Sequence, residues 1–176
     1  MSKKYELTSE TTINPVGATL YRIRALRDFY NTKAGDLGGF VQSEANLSHE
    51  GLCWVSGDAR VSGDALVFGN ARVSGDARVS GNARVFGNAL VSGDARVSGD
   101  ARVYKQNDVI TLSGFGEEAR TTTAFKTEDS FAISCGDFYG TLDKFRADIA
   151  NTPGDNKFGR EYKLVADLIE LHFSEE

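Results

Sequence analysis

Residues 55–103 read VSGDAR VSGDAL VFGNAR VSGDAR VSGNAR VFGNAL VSGDAR VSGDAR V, eight consecutive hexads with no slip in register. Valine opens each hexad, glycine stands third and alanine fifth. Across Ala-Arg-Val-Ser, small or apolar side chains alternate with polar ones, the period of a strand with one buried side. The Gly-Asp or Gly-Asn that follows is turn chemistry. Each hexad is therefore one short strand and one corner. A six-residue side cannot bury its own valine. Three sides closed into a coil of 18 residues bring the valines together at the axis and let the backbone bond to the next coil. Alanine at the fifth place suits a narrow interior. The expected fold class is mainly β: a single-stranded, three-sided parallel β-helix over residues 41–104.

In an 18-residue coil, side chains 18 apart stack into columns, so the outer faces can be written directly from the sequence. One carries Arg60, Arg78 and Arg96 beside Ser62, Ser80 and Ser98. A second carries Phe68, Phe86 and Tyr104, with Leu66, Arg84 and Arg102 alongside. The third carries Trp54, Arg72 and Leu90 beside Ser56, Ser74 and Ser92. Aromatic rings replacing serine at steps of 18 make an apolar stripe, which marks an interface. It is expected to meet the folded-back C-terminal segment, a second copy or another protein. The candidate interface residues are Phe68, Phe86, Tyr104, Leu66, Trp54, Leu90, Arg84 and Arg102. The Arg60, Arg78 and Arg96 ladder is a candidate anion-binding column, since stacked like charges repel unless an acidic group intervenes. Corner residues Asp58, Asp76 and Asp94 run beside it and are expected to neutralise it.

Upstream, Val41, Ala45 and Leu47 keep the repeat's register, and SHEGLCW then inserts two residues before Val55, predicting a loop or bulge at His49 to Leu52. Residues 1–40 contain the strand-like runs KYEL and TLYRIRAL, joined through Pro15 and Gly17, and predict a β-hairpin cap over the first coil. Residues 105–176 abandon the hexad. DVITLSGF, ARTTTAFKT and SFAISCGDF read as strands, with Phe131, Ile133 and Cys135 at alternate positions. TLDKFRADIA reads as a helix capped by Thr141, with Leu142, Phe145 and Ile149 on one side. After the breaker TPGDN, REYKLVADLIELHF predicts a second helix whose apolar face is Leu164, Val165, Leu168 and Ile169. A β-plus-two-helix cap, serving oligomerisation, is the expected C-terminal unit.

The net charge of −5 and a pI near 5.1 argue against a protein built to grip nucleic-acid phosphates. Cys53 and Cys135 form no C-x-x-C pair, so neither a disulfide framework nor a zinc site is signalled. No apolar run is long enough to span a membrane; a soluble protein of a reducing cytoplasm is the expectation. His49 and His172 are the only histidines. His172 ends the last helix, where it complements the dipole. His49, in the insertion near Cys53, could pair with Glu50, bind a metal or act as a general base. No phosphate-binding, nucleophile-elbow or zinc-protease motif occurs. The expectation is therefore a non-enzyme without cofactor or metal.

The aliphatic residue with a small one four places later resembles the hexapeptide repeat of left-handed parallel β-helices. That family commonly puts glycine directly after the aliphatic residue, whereas here it comes two after. Left-handed winding is the favoured hand, with a right-handed solenoid left open. Many proteins of that class are acyltransferases with a histidine base, which makes an enzyme using His49 the alternative function.

Over nearly its whole length, the chain also resembles a family of hexapeptide-repeat proteins encoded by bacteriophages and prophages. The residues that carry this are YELT, LYRIRALRDF, KAGDLGGFV and EANLS, the WVSGDA repeats, GTLDKF and GDNKFGREY. The resemblance implies an accessory protein acting in the cytoplasm of an infected bacterium, and it supplies no catalytic residue. The expected function is to inhibit or sequester a host protein or complex, a defence system such as CRISPR machinery being one such target. A homo-oligomer, dimer or trimer, is expected. A self-assembling structural protein is a third reading.

Overall fold

The computed structural model describes residues 3–151 and 156–174. A hairpin opens it, β1 (Tyr5–Ile13) antiparallel to β2 (Thr19–Ala25), followed by β3 (Leu37–Val41) antiparallel to β2. Nine two-residue strands then form the rungs: β4 (Trp54–Val55), β5 (Arg60–Val61), β6 (Leu66–Val67), β7 (Arg72–Val73), β8 (Arg78–Val79), β9 (Arg84–Val85), β10 (Leu90–Val91), β11 (Arg96–Val97) and β12 (Arg102–Val103).

The rungs stack in parallel on three sides, β5-β8-β11, β4-β7-β10 and β6-β9-β12. Partners lie 18 apart: Arg60 on Arg78, Arg72 on Leu90, Leu66 on Arg84. Every valine from Val55 to Val103, and every fifth-place alanine, is buried in one continuous core. The corners are held by glycine. Gly81 sits at φ +68°, and a Cβ there would lie 2.8 Å from the Gly99 nitrogen, so both conformation and stacking distance exclude a side chain.

The two-residue insertion appears as a change of register. Val41 pairs with Val61 and Leu47 with Val67, 20 apart, whereas Val55 pairs with Val73, 18 apart. Residues 49–52 form the expected bend. Ala45, assigned to the interior from its register, is exposed. A 3-10 turn at Glu44–Asn46 replaces the rung, and Asn46 turns inward instead. Its amide donates to the Gly63 and Ala65 carbonyls, both at 2.9 Å, and its Oδ1 accepts from the Ser43 N–H at 2.8 Å. One side chain thus does the bonding of a missing strand.

The N-terminal hairpin is longer than KYEL suggested. It extends one side of the solenoid, in the order β1-β2-β3-β5-β8-β11, while Tyr5, Ile23 and Phe29 close the end of the core. The far end is closed by a four-stranded antiparallel sheet: β13 (Val109–Phe115), β14 (Arg120–Lys126), β15 (Phe131–Cys135) and β16 (Phe138–Gly140). SFAISCGDF is thus a hairpin rather than one strand. The sheet is buried on both faces. Phe125, Ala132 and Val109 cover the solenoid core, while Ala124, Ile133 and Cys135 face the helices.

Rung N–H groups donate to the following coil, as Arg84 does to the Ala101 carbonyl at 2.8 Å, and the last coil has none beyond it. Side chains take its place. Thr123 Oγ1 accepts from the Arg96 N–H at 3.0 Å, and Asp108 Oδ2 accepts from Tyr104 and Lys105 at 2.9 and 3.0 Å.

Two helices complete the cap, α1 (Leu142–Asn151) and α2 (Lys157–Phe173). Leu142, Phe145 and Ile149 face inward as expected. The breaker read at TPGDN lies, except for Asn156, outside the described residues. Asn156 caps α2, its Oδ1 accepting from the Gly159 N–H at 3.0 Å. The apolar face of α2 needs correction. Val165, Ala166 and Ile169 are buried and Tyr162 and Phe173 pack beside them, but Leu164 and Leu168 are 68% and 45% exposed. The helix meets the sheet along 162-165-166-169-173, and Leu164 and Leu168 lie to one side of that stripe.

Candidate binding faces

The aromatic column forms as its 18-residue spacing requires. Phe68 and Phe86 stack with ring centroids 4.9 Å apart and planes 6° from parallel, matching the spacing of parallel strands. Tyr104 follows at 5.2 Å, tilted by 51°. The tilt has a local cause. Tyr104 leans over the corner at Gly87, where a Cβ would lie 2.4 Å from its ring carbons. Both phenylalanines are half-buried and Tyr104 is 55% exposed. Among the described residues, the C-terminal cap lies across the end of the tube and leaves Tyr104 exposed. Leu66, Arg84 and Arg102 stand two residues before the rings, on β6, β9 and β12, and Arg102 reaches Glu128 of the cap at 2.7 Å.

The arginine column also forms, Arg60 on Arg78 on Arg96, with Phe40 as its first rung. Arg22 lies 4.3 Å over the Phe40 ring and pairs with Asp58. The neutralisation expected from the aspartate column is looser than a chain of ion pairs. Among the described residues no carboxylate lies within ion-pair distance of Arg60 or Arg78. Instead Asp76 and Asp94 share a groove of about 210 Å³ with Arg78, Arg96 and Arg120. Arg96 donates to the Gly136 carbonyl at 3.1 Å. Opposite charges interleave there, which favours a solvated face over a purely cationic one.

The third face departs most from its reading. Trp54, assigned as an interface residue, is only 7% exposed. It sits edge-on to Phe29 at 5.2 Å and to Tyr5 at 6.2 Å, inside the N-terminal cap. Arg72, one rung on, is covered by Tyr30, whose ring centroid lies 3.6 Å from the guanidinium carbon. The loop between β2 and β3 thus lies over the first two rungs of this side, and Arg72 and Leu90 stay partly exposed.

His49 is packed into the N-terminal cap. Its ring stacks on Tyr5 at 4.3 Å, Nδ1 accepts the Lys4 N–H at 3.2 Å, and Nε2 is enclosed without a hydrogen bond, 3.6 Å from Glu44. Its carboxylate neighbour is Glu44, not Glu50. Beside it, Lys4 is fully buried, its ammonium donating to the Cys53 carbonyl at 2.8 Å and contacting Cys53 Sγ at 3.2 Å. Burial pushes the Lys4 pKa down and the Cys53 thiol up. Nothing in the string MSKKYEL separated this buried lysine from its exposed neighbour. Among the described residues, no group of three His, Cys, Asp or Glu side chains could hold a metal ion. His172 bonds the Asn107 carbonyl at 3.0 Å, tying the end of α2 to the turn after the last rung. Among the described residues, no helix is long and apolar enough to cross a membrane.

With the coils in place, the repeat can be compared with known ones. Residues 59–75, 65–81 and 77–95 match the YdcK beta solenoid repeat. The chain is similar to that family over the central coils, and the match agrees with the stacked rungs. No curated protein matches the chain.

Proposed function

We propose that this protein is a non-enzymatic binding module that presents its Phe68, Phe86 and Tyr104 face to a protein partner. The observation that carries this reading is the half-open aromatic ladder on a rigid sheet, flanked by Arg84, Arg102 and Leu66. Aromatic residues and arginine dominate binding energy at protein interfaces, the aromatics because they bury large areas at small conformational cost and arginine because its guanidinium bonds and stacks in a fixed plane. Two-residue rungs locked to the coils on either side fix the rings before a partner arrives, which lowers the ordering cost of association. The resemblance to phage- and prophage-encoded repeat proteins supports a role in the cytoplasm of an infected bacterium. There it would inhibit or sequester a host protein or complex, defence machinery such as CRISPR being one target. Self-association as a dimer or trimer would multiply the ladder and raise avidity.

Affinity capture from infected cells, with mass spectrometry, tests this reading. The wild-type protein is expected to enrich a specific host protein. Phe86→Ser, which restores the serine usual at that place in the repeat, should weaken the interaction by about 2 kcal/mol, roughly 30-fold. Recovery of no host protein above background, or undiminished capture by Phe86→Ser, would contradict it.

A further inference from the structure

The C-terminal cap holds a cavity of about 580 Å³, bordered by the β13–β14 turn, the β15–β16 turn, α1 and the start of α2. That volume lies in the range of small-molecule sites. Its lining is sorted by chemistry. Phe138, Phe145, Phe158 and Tyr162 supply aromatic surface. Their rings are set at angles: Phe138 and Phe145 lie 5.2 Å apart at 52°, and Phe145 and Tyr162 lie 6.2 Å apart at 90°. Phe145 is buried in the cap core, whereas Phe138, Phe158 and Tyr162 stay partly exposed at the cavity wall.

The charged residues of the lining are Glu117, Glu118, Asp137, Asp148 and Arg120. Arg120 is held by Glu118 through bonds of 2.6 and 2.8 Å, so its charge is directed at that partner. The first turn of α2 also borders the cavity, but Asn156 occupies its Gly159 N–H, which removes a donor an anion would use. Aromatic faces attract cations through their quadrupole, and the attraction grows when the cation sheds water easily. An ammonium whose charge is spread over methyl groups meets both conditions, and the exposed carboxylates of Glu117 and Asp137 supply the countercharge.

We propose that this cavity binds a small alkylated ammonium ion, at a site separate from the protein-binding face and independent of it. The test is titration of the full-length protein with choline and with 3,3-dimethylbutan-1-ol, its neutral isostere. Binding is followed by NMR at the backbone amides of Asp137 and Gly159. Choline is expected to give saturable shifts, and the alcohol to bind at least about tenfold more weakly. Phe158→Ala, and Glu117→Gln combined with Asp137→Asn at two exposed positions, should each weaken choline binding by about tenfold. Absence of saturable shifts with choline would overturn the proposal. So would equal affinity for the alcohol, or choline binding unchanged in both variants.

Discussion

Val79→Asp is expected to abolish the cooperative unfolding transition, whereas Arg78→Ala, one residue away on the same strand, should shift it by less than about 1 kcal/mol. Val79 is fully buried, with Val61 and Val97 in register above and below it. A carboxylate there would sit at the axis of a tube lined by valine and alanine, with no partner and no room for water. Breaking such burial without a counter-charge costs several kcal/mol, a large share of the roughly 5–15 kcal/mol that holds a domain together. Arg78 points outward and has no ion-pair partner among the described residues. Thermal melts followed by circular dichroism would distinguish the two. A normal transition for Val79→Asp would mean that the valines do not share a dry interior.

Asn46→Asp should destabilise the first coil by about 3–5 kcal/mol, and Asn46→Ala by about 2. In the native protein one amide donates to two carbonyls, Gly63 and Ala65, and is itself buried. Alanine leaves both carbonyls without that donor. Aspartate is worse, because it turns a carboxylate oxygen toward the same two acceptors and adds Coulomb repulsion to the lost bonds. Urea titration of the three proteins at neutral pH gives the order directly. Equal midpoints for Asn46→Ala and Asn46→Asp would contradict the bonding described here.

The solenoid was legible because one physical rule, valine inward every sixth residue, repeats eight times without a slip, and each error at one place would be multiplied at all the others. The composition of the columns followed from that rule alone. Their accessibility did not. Whether Trp54 faces a partner or its own chain depends on the loop carrying Phe29 and Tyr30, which crosses that face through contacts with no periodic signal. Ala45 was misplaced for a related reason: its register was correct, but Asn46 could satisfy the next coil's carbonyls and so displaced the rung. In the cap, strands and helices were readable from alternation and capping. The two-sided burial of the sheet was not, because Phe125 and Ala132 reveal their partner only when the sheet is laid across the end of the tube. The cavity in the cap went unread for the same reason. Its rings come from residues 138, 145, 158 and 162, on three different elements.

The central requirement is that side chains 18 apart are neighbours, and paired cysteines measure this most directly. Parallel rungs lie about 4.8 Å apart, within the Cα separation that a disulfide accepts. Ser80→Cys with Ser98→Cys is therefore expected to cross-link on mild oxidation, losing two mass units and yielding one linked peptide pair. Ser80→Cys with Ser92→Cys places the thiols on different sides and should remain reduced. Cross-linking of the 80/92 pair in place of the 80/98 pair would contradict the three-sided coil and every face derived from it.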